Sequence, residues 1–301
     1  MQNLVRNILS VCAIAALVQS PVQAKSSVWK VAKGENTLYL AGTIHVLSES
    51  DYPLPCEYQD VYSKSEKIVF ETDMSVLSSP SFGAEAAKIG MYPIGESLSD
   101  KLSSKTNKAL TDYLISIGLP AEGLMQFKPG MLMSVIAISE LKKIGVSGKG
   151  VDQHFFGLAT GDQKKIGQLE TPESQLEMIA GLGVGNEDNF ITYLIDSMEL
   201  FREEFTDLLT SWRIGDLEEL AEASGFEQMR EEFPKLFKTL IVERNNDWLT
   251  QIEAMLTTEE VEAVFVGGLH MVGEEGLLAN LSNKGYKIAQ LDGCSLTDIE
   301  E

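Results

Sequence analysis

Basic side chains are in short supply in this chain. Only 24 Lys and Arg stand against 45 Asp and Glu, a net charge of −21 over 301 residues. A surface this acidic repels phosphate backbones and anionic headgroups, so nucleic acid and a stable membrane anchor are excluded as expectations. A metal cation, by contrast, would be drawn to it. Long apolar runs are missing as well. The N-terminal one, Ile8 to Val18, falls well short of the ~20 residues that span a bilayer. With Arg6 before it and Val22-Gln23-Ala24 behind it, it reads as a secretory signal peptide over residues 1–24. The mature chain, 25–301, is then expected to be exported, to the periplasm or beyond, and is one unit more negative.

Cysteine is limited to three. Cys12 lies in the signal segment without a lipobox, so export leaves Cys56 and Cys294. In an oxidising compartment such a pair is a candidate disulfide, the alternative being two unpaired thiols. Familiar catalytic signatures are absent too. His45 is followed by Val46, so there is no His-Glu-x-x-His helix, and Ser147 lacks the closing glycine of a nucleophile elbow. The glycines of Gly181-Leu182-Gly183-Val184-Gly185 follow a helical pattern rather than a strand, which rules out a dinucleotide loop.

What is present is enough apolar material, 44%, to bury a sizeable core. Alternation over Ser27–Lys33 and Thr37–Ile44 around Lys33-Gly34-Glu35-Asn36 predicts a β-hairpin. Short strands follow at Lys67–Glu71, Lys164–Leu169, Val261–Val266 and Tyr286–Gln290. Between them the pattern is helical. Phe190, Ile191, Leu194, Ile195, Met198, Phe201, Phe205, Leu208 and Trp212 keep one face over six turns, and Asp216 with Glu219 suggests a capping box beyond Gly215. A last long helix is expected from Pro234 to Leu256. The fold class is therefore α/β (α+β): a mixed central sheet built from N- and C-terminal segments, with a large helical insertion over about 79–256.

Histidine is the other rarity, with three in the chain. Two of them occupy equivalent places: Gly42-Thr43-Ile44-His45 and Gly267-Gly268-Leu269-His270 each follow an apolar strand and precede an expected helix start. Glu71 likewise follows a strand. In open α/β sheets, ligands sit at the carboxyl ends of strands. Two imidazoles and a carboxylate there are a suitable donor set for a catalytic divalent metal, with Asp73 or Asp152 available to orient the rings. The plainer alternative is histidines that are merely solvated or packed. Arg244 falls within the apolar stripe of its helix, four residues after Leu240 and four before Trp248. It serves either a substrate carbonyl, an anionic intermediate or a site carboxylate, or else forms a structural pair with Glu170 or Asp152 or snorkels its head to solvent. His154, two residues after Asp152 at a helix start, is expected at the surface.

The ordered set Gly42-Thr43-Ile44-His45, Phe70-Glu71-Thr72-Asp73, Lys128-Pro129, Gly150-Val151-Asp152, Leu169-Glu170-Thr171-Pro172-Glu173-Ser174-Gln175, Glu243-Arg244-Asn245 and Val266-Gly267-Gly268-Leu269-His270 resembles the TraB/GumN family, which includes the Tiki-type metalloproteases. The likeness runs from about Val28 to Asp292. It implies a divalent-metal-dependent hydrolase, most concretely a peptidase, using Mn or Co rather than structural Zn. The family signature maps onto His45, His270 and Glu71, and its arginine onto Arg244. Asp152 and Glu170 match acidic positions without an assigned role. Met271 departs from the Leu or Phe commoner after the second histidine. Other members are tied to pheromone shutdown, by binding or by degradation. Two divisions of labour stay open: Glu71 as third metal ligand beside His45 and His270, or Glu71 as general base with Asp152 or Glu170 as the ligand. A binding protein that sequesters a peptide or small ligand, or a hydrolase of a non-peptide ester or lactone, are the alternatives.

Overall fold

The computed structural model describes residues 25–77 and 79–294. The expected signal peptide and Cys12 lie outside the described residues. Six strands form one sheet: β1 (Lys25–Lys33), β2 (Asn36–Thr43), β3 (Lys67–Phe70), β4 (Lys165–Gln168), β5 (Glu262–Gly267) and β6 (Lys287–Asp292). Their order is β4-β3-β5-β2-β1-β6. The hairpin forms as expected, with Lys33 opposite Asn36 and Gly34 at φ 65 in the turn. From β2 outward through β5, β3 and β4 every pairing is parallel, whereas β1 runs antiparallel to both β2 and β6.

Burial explains the order. All but the last residue of β5 are buried, as a central parallel strand requires, while β4 and β6 carry exposed residues suited to edges. Side-chain alternation sorts the strands onto two faces. Ile68, Phe70, Ala263 and Phe265 join Tyr58, Phe155, Phe205 and Trp212 on one side. Val69, Val264 and Val266 join Trp248, Leu249, Ile252 and Leu281 on the other. A third cluster around Leu110, Leu132, Ile136, Phe190 and Leu194 is purely helical. The 79–256 stretch is thus mostly helix, but it returns to the sheet once, as β4.

The long amphipathic helix spans Glu187–Ile214 and ends at Gly215, whose φ is 66. One end of its stripe packs in the helical cluster and the other against the sheet. Asp216 caps the next helix by accepting from the N–H groups of Glu218 and Glu219. Its own N–H donates to Ser211 O, so the reciprocal half of the expected box is not made. Cys56 and Cys294 are disulfide-bonded with their Cα atoms 6.0 Å apart, tying the helix Cys56–Lys64 to the segment after β6. No helix of the described residues is long and apolar enough to cross a membrane.

Candidate active site

Four adjacent parallel strands deliver their carboxyl ends to one edge of the sheet, and each carries a polar residue just beyond. His45 follows β2, Glu71 follows β3, Glu170 follows β4 and His270 follows β5. Close backbone approach fixes these ends. A Cβ on Gly42 would meet Gly268 Cα and Ser27 Cβ at 3.3 Å. Gly42 O accepts from Trp212 Nε1 at 2.7 Å and from the Tyr58 hydroxyl at 2.5 Å. The His45 turn is clamped by the chain entering the Val151–Gly161 helix. Val151 N donates to Ile44 O, and a Cβ on Gly150 would fall 2.2 Å from His45 backbone atoms. His45 itself lies in an irregular loop rather than at a helix start, and His270 sits in a 3₁₀ turn, Gly268–Met271.

Arg244 is brought in by a helix that changes pitch. Residues Pro234–Phe237 are α-helical, Lys238–Glu243 form a π-helical stretch, and Arg244–Met255 resume the α form. The expected single helix is therefore interrupted, and such π insertions redirect a side chain relative to the regular stripe. Arg244 is stacked on Trp248 with its guanidinium carbon 4.4 Å from the ring centre. Its Nη2 donates to Glu71 Oε2 at 2.6 Å and to Glu170 Oε1 at 2.7 Å, and its Nε reaches Glu170 Oε2 at 3.2 Å. Its Nη1 lies 3.0 Å from His270 Nε2. Of the two structural partners named as alternatives, Glu170 takes Arg244 and Asp152 does not.

That last contact fixes a tautomer. Arginine only donates, so His270 Nε2 must accept and Nδ1 must carry the proton. Nδ1 accordingly donates to Asn245 Oδ1 at 2.7 Å, while Asn245 Nδ2 donates to the carbonyls of Glu275 at 2.8 Å and His270 at 3.3 Å. Burial pushes His270 down to about 3 despite the nearby Glu71, so the ring is neutral with its Nε2 lone pair facing the site. Asn245, not Asp73, is the orienting acceptor. Asp73 instead caps Ser75, accepting from its N–H and hydroxyl. The signal for Asn245 was a polar residue beside Arg244 on a helix face that packs.

His45 is held differently. Its Nδ1 lies 3.2 Å from Asp152 Oδ1, and the two are an ion pair whose alignment falls short of a hydrogen bond. Asp152 first, against partial crowding, raises the imidazole to about 9. With 61% of the side chain open to solvent, the carboxylate rather than any low-dielectric surrounding controls this ring. Glu71 is buried, which pushes its carboxyl up. Arg244, both histidines and the Gly267 N–H donor at 2.7 Å outweigh that and hold it at about 2. Gln175 Nε2 adds a further bond to Oε2 at 3.2 Å. Burial raises Glu170, with Arg244 working against the shift.

Whether a divalent ion suits these residues can be tested on the geometry. A Cβ placed on Gly267 would meet Glu71 Oε1 at 3.3 Å, His270 Cδ2 at 3.6 Å and His45 Nε2 at 3.9 Å, so all three groups surround one glycine, with the Arg244 guanidinium against two of them. Each ring has its Nδ1 facing an oxygen, the arrangement metal-bound histidines adopt, while His270 Nε2 is contacted by Arg244 and His45 would have to yield its Nε2 proton to an ion. Thr43 Oγ1 and Thr72 Oγ1, on the residues beside this edge, are buried without a partner. The donor types fit, but their atoms are not drawn to coordination spacing: among the described residues, the group whose ligand atoms all lie within 4.8 Å of one another is Cys56, Glu57 and Cys294, and its sulfurs are in the disulfide. His154 stays outside, packed against Tyr52 and Phe155. Met271 is buried in the core behind β5, among apolar neighbours.

Fold and site together define an α/β protein whose polar constellation sits at the carboxyl edge of a largely parallel sheet. The sequence profile of the TraB/PrgY/gumN family matches residues 27–290, and the chain belongs to that family. No curated protein and no solved structure matches it.

Proposed function

We propose that this chain is an exported, divalent-metal-dependent hydrolase that cleaves peptide bonds. One observation carries the reading. Two imidazoles oriented through Nδ1 and one ionised carboxylate surround Gly267, with an arginine at hydrogen-bond distance from two of the three. His45, Glu71 and His270 would hold the ion, and imidazole with carboxylate suits Mn, Co or Zn. When bound, the ion supplies Lewis acidity and a more acidic water.

The chain's own residues do the rest. Asn245 keeps the proton of His270 on Nδ1, so its Nε2 would take the ion once Arg244 Nη1 turns away, and Asp152 holds His45 by Nδ1, so the ion would displace the proton on its Nε2. Glu170 grips Arg244 through two oxygens and so aims it. Arg244 Nη1, which rests on His270 Nε2, is the donor that turns to the substrate carbonyl as negative charge builds on its oxygen. Glu170 is the carboxylate suited to carry the proton, because burial raises it while Arg244, the histidines and Gly267 hold Glu71 ionised. In the net reaction the oxygen of one water joins the carbonyl carbon, the C–N bond breaks and the amine leaves with a proton.

Elemental analysis of the purified mature chain, repeated on His45→Ala and His270→Ala, tests the shared site. Bound Mn or Co should fall in both variants, and equal metal in all three proteins would refute it. A peptide-library cleavage assay with added Mn²⁺ or Co²⁺, with Arg244→Ala as control, tests turnover. A second reading, binding without turnover, draws on the way Arg244 already satisfies Glu71, Glu170 and His270 among themselves. Metal-independent peptide binding with no cleavage would favour it. Cleavage of esters or lactones but not of peptides would move the substrate class.

A further inference from the structure

Beside the polar constellation lies a cavity of about 290 Å³. His45, Glu71, Arg244 and His270 line one part of its wall, and the remainder is hydrocarbon: Leu141, Phe201, Phe205, Leu208, Leu220 and Leu240 among others. These come from four separate elements, the helices Pro129–Lys143, Glu187–Ile214 and Leu217–Ala223 and the π-helical stretch Lys238–Glu243. Phe201, Phe205 and Leu208 share one helical face, the stripe that otherwise packs the long helix into the core. Here part of that stripe borders the site instead.

The wall chemistry discriminates sharply. Glu71 and Arg244, charged groups in the lining, are paired with each other at 2.6 Å. A charged or strongly polar group pushed past them would lose its water without gaining a partner. A hydrocarbon group is favoured by leaving water. The volume is about twice the ~150 Å³ that holds one benzene ring. One large aromatic or branched side chain together with the carbonyl segment that bears it suits such a space, and a methyl or a hydrogen leaves most of it unfilled.

We infer that this cavity is the specificity pocket of the site, and that it takes the large apolar side chain of a substrate residue adjacent to the carbonyl held near Arg244. What becomes of the bound residue rests on the hydrolase reading; its binding rests on the cavity alone. The test uses the mature chain with its disulfide intact and ligand-observed NMR titrations of five probes. These are the N-acetyl amides of phenylalanine, tryptophan, glycine and lysine, and decanoyl amide. The phenylalanine probe should bind about ten- to a hundredfold tighter than the glycine probe, the range expected for burying one large apolar side chain. The lysine probe should bind no better than glycine.

Leu240→Trp fills the pocket from a partly exposed position and should level phenylalanine with glycine. Leu208→Ala enlarges it and should move the preference toward the tryptophan amide, with circular dichroism melts confirming that each variant folds. Equal binding of phenylalanine and glycine by the unaltered chain would overturn the inference. So would an unchanged preference in a folded Leu240→Trp protein. Tighter binding of decanoyl amide than of the phenylalanine probe would replace the side-chain pocket with an acyl-chain site and overturn it equally. Selective binding without metal uptake or cleavage would leave the pocket standing and refute the hydrolase reading instead.

Discussion

Arg244→Ala is the perturbation that asks most of this site. The guanidinium carries two close carboxylate contacts, at 2.6 and 2.7 Å, and its side chain is only 12% exposed. At an effective dielectric of 20 and ~4 Å between charge centres, each pair is worth about 4 kcal/mol before the arginine's own desolvation is subtracted. Removing one partner of a buried pair costs about 3–5 kcal/mol, because the other charge stays behind. Glu71 keeps its bonds from Gly267 and Gln175, which places the expected loss at the lower end, about 3 kcal/mol. For a chain of this size that is about 5 °C in melting temperature. Circular dichroism melts in chelator measure it. Divalent cation should then narrow the gap, since its charge offsets Glu71. Arg244→Ala with Glu170→Gln should recover part of the loss by removing one of two repelling acids. An Arg244→Ala protein that melts in chelator within 2 °C of the unaltered chain would refute the reasoning.

Three further outcomes are expected. Asn245→Leu frees the His270 ring and should weaken metal binding by about 10–100-fold, measured by competition with a metal indicator. Cys56→Ser opens a loop of sequence separation 238, and chain entropy sets the loss at about 5 kcal/mol, read from urea melts with and without reductant. Without metal, stability should peak near pH 6.5. His270, held down at about 3, refuses a proton that the unfolded chain accepts, so stability falls as pH drops below 6.5. Glu71, at about 2, adds to the loss below pH 4.5. His45, raised to about 9, contributes fully below 6.5 and loses that contribution as pH rises through 9. Urea titrations in chelator from pH 4 to 10 check the shape, and a stability flat on both sides would contradict it.

Much of this was legible in the sequence because periodicity reports which side of an element is buried. The hairpin, the strands that end at His45, Glu71 and His270, and the inward pitch of Arg244 all follow from local pattern. Partners do not, since they depend on strand order. Only the insertion of β5 between β2 and β3 puts Glu71 beside Gly267. Asn245 and Gln175 were passed over because an amide in a helix is usually solvated, and nothing local says that it meets a ring or a carboxylate. The π-helical stretch before Arg244 left no mark in the hydrophobic pattern. Phe201, Phe205 and Leu208 read as packed core, because a stripe shows that a face is apolar, not what lies opposite it.

The place of β5 has a consequence for when this site comes into being. β5 is flanked by β2 and β3, and it is synthesised roughly two hundred residues after them. Until it arrives, His45 and Glu71 hang on two unjoined sheet edges, His270 does not exist, and Gly267 cannot offer its N–H to the carboxylate. A chain threading across a membrane in order would therefore carry no assembled centre until its last fifth had emerged. Long-range pairing of this kind also folds slowly and leaves strand edges exposed meanwhile. The polar constellation is thus completed only when the last of its four strands, β5, takes its place in the sheet.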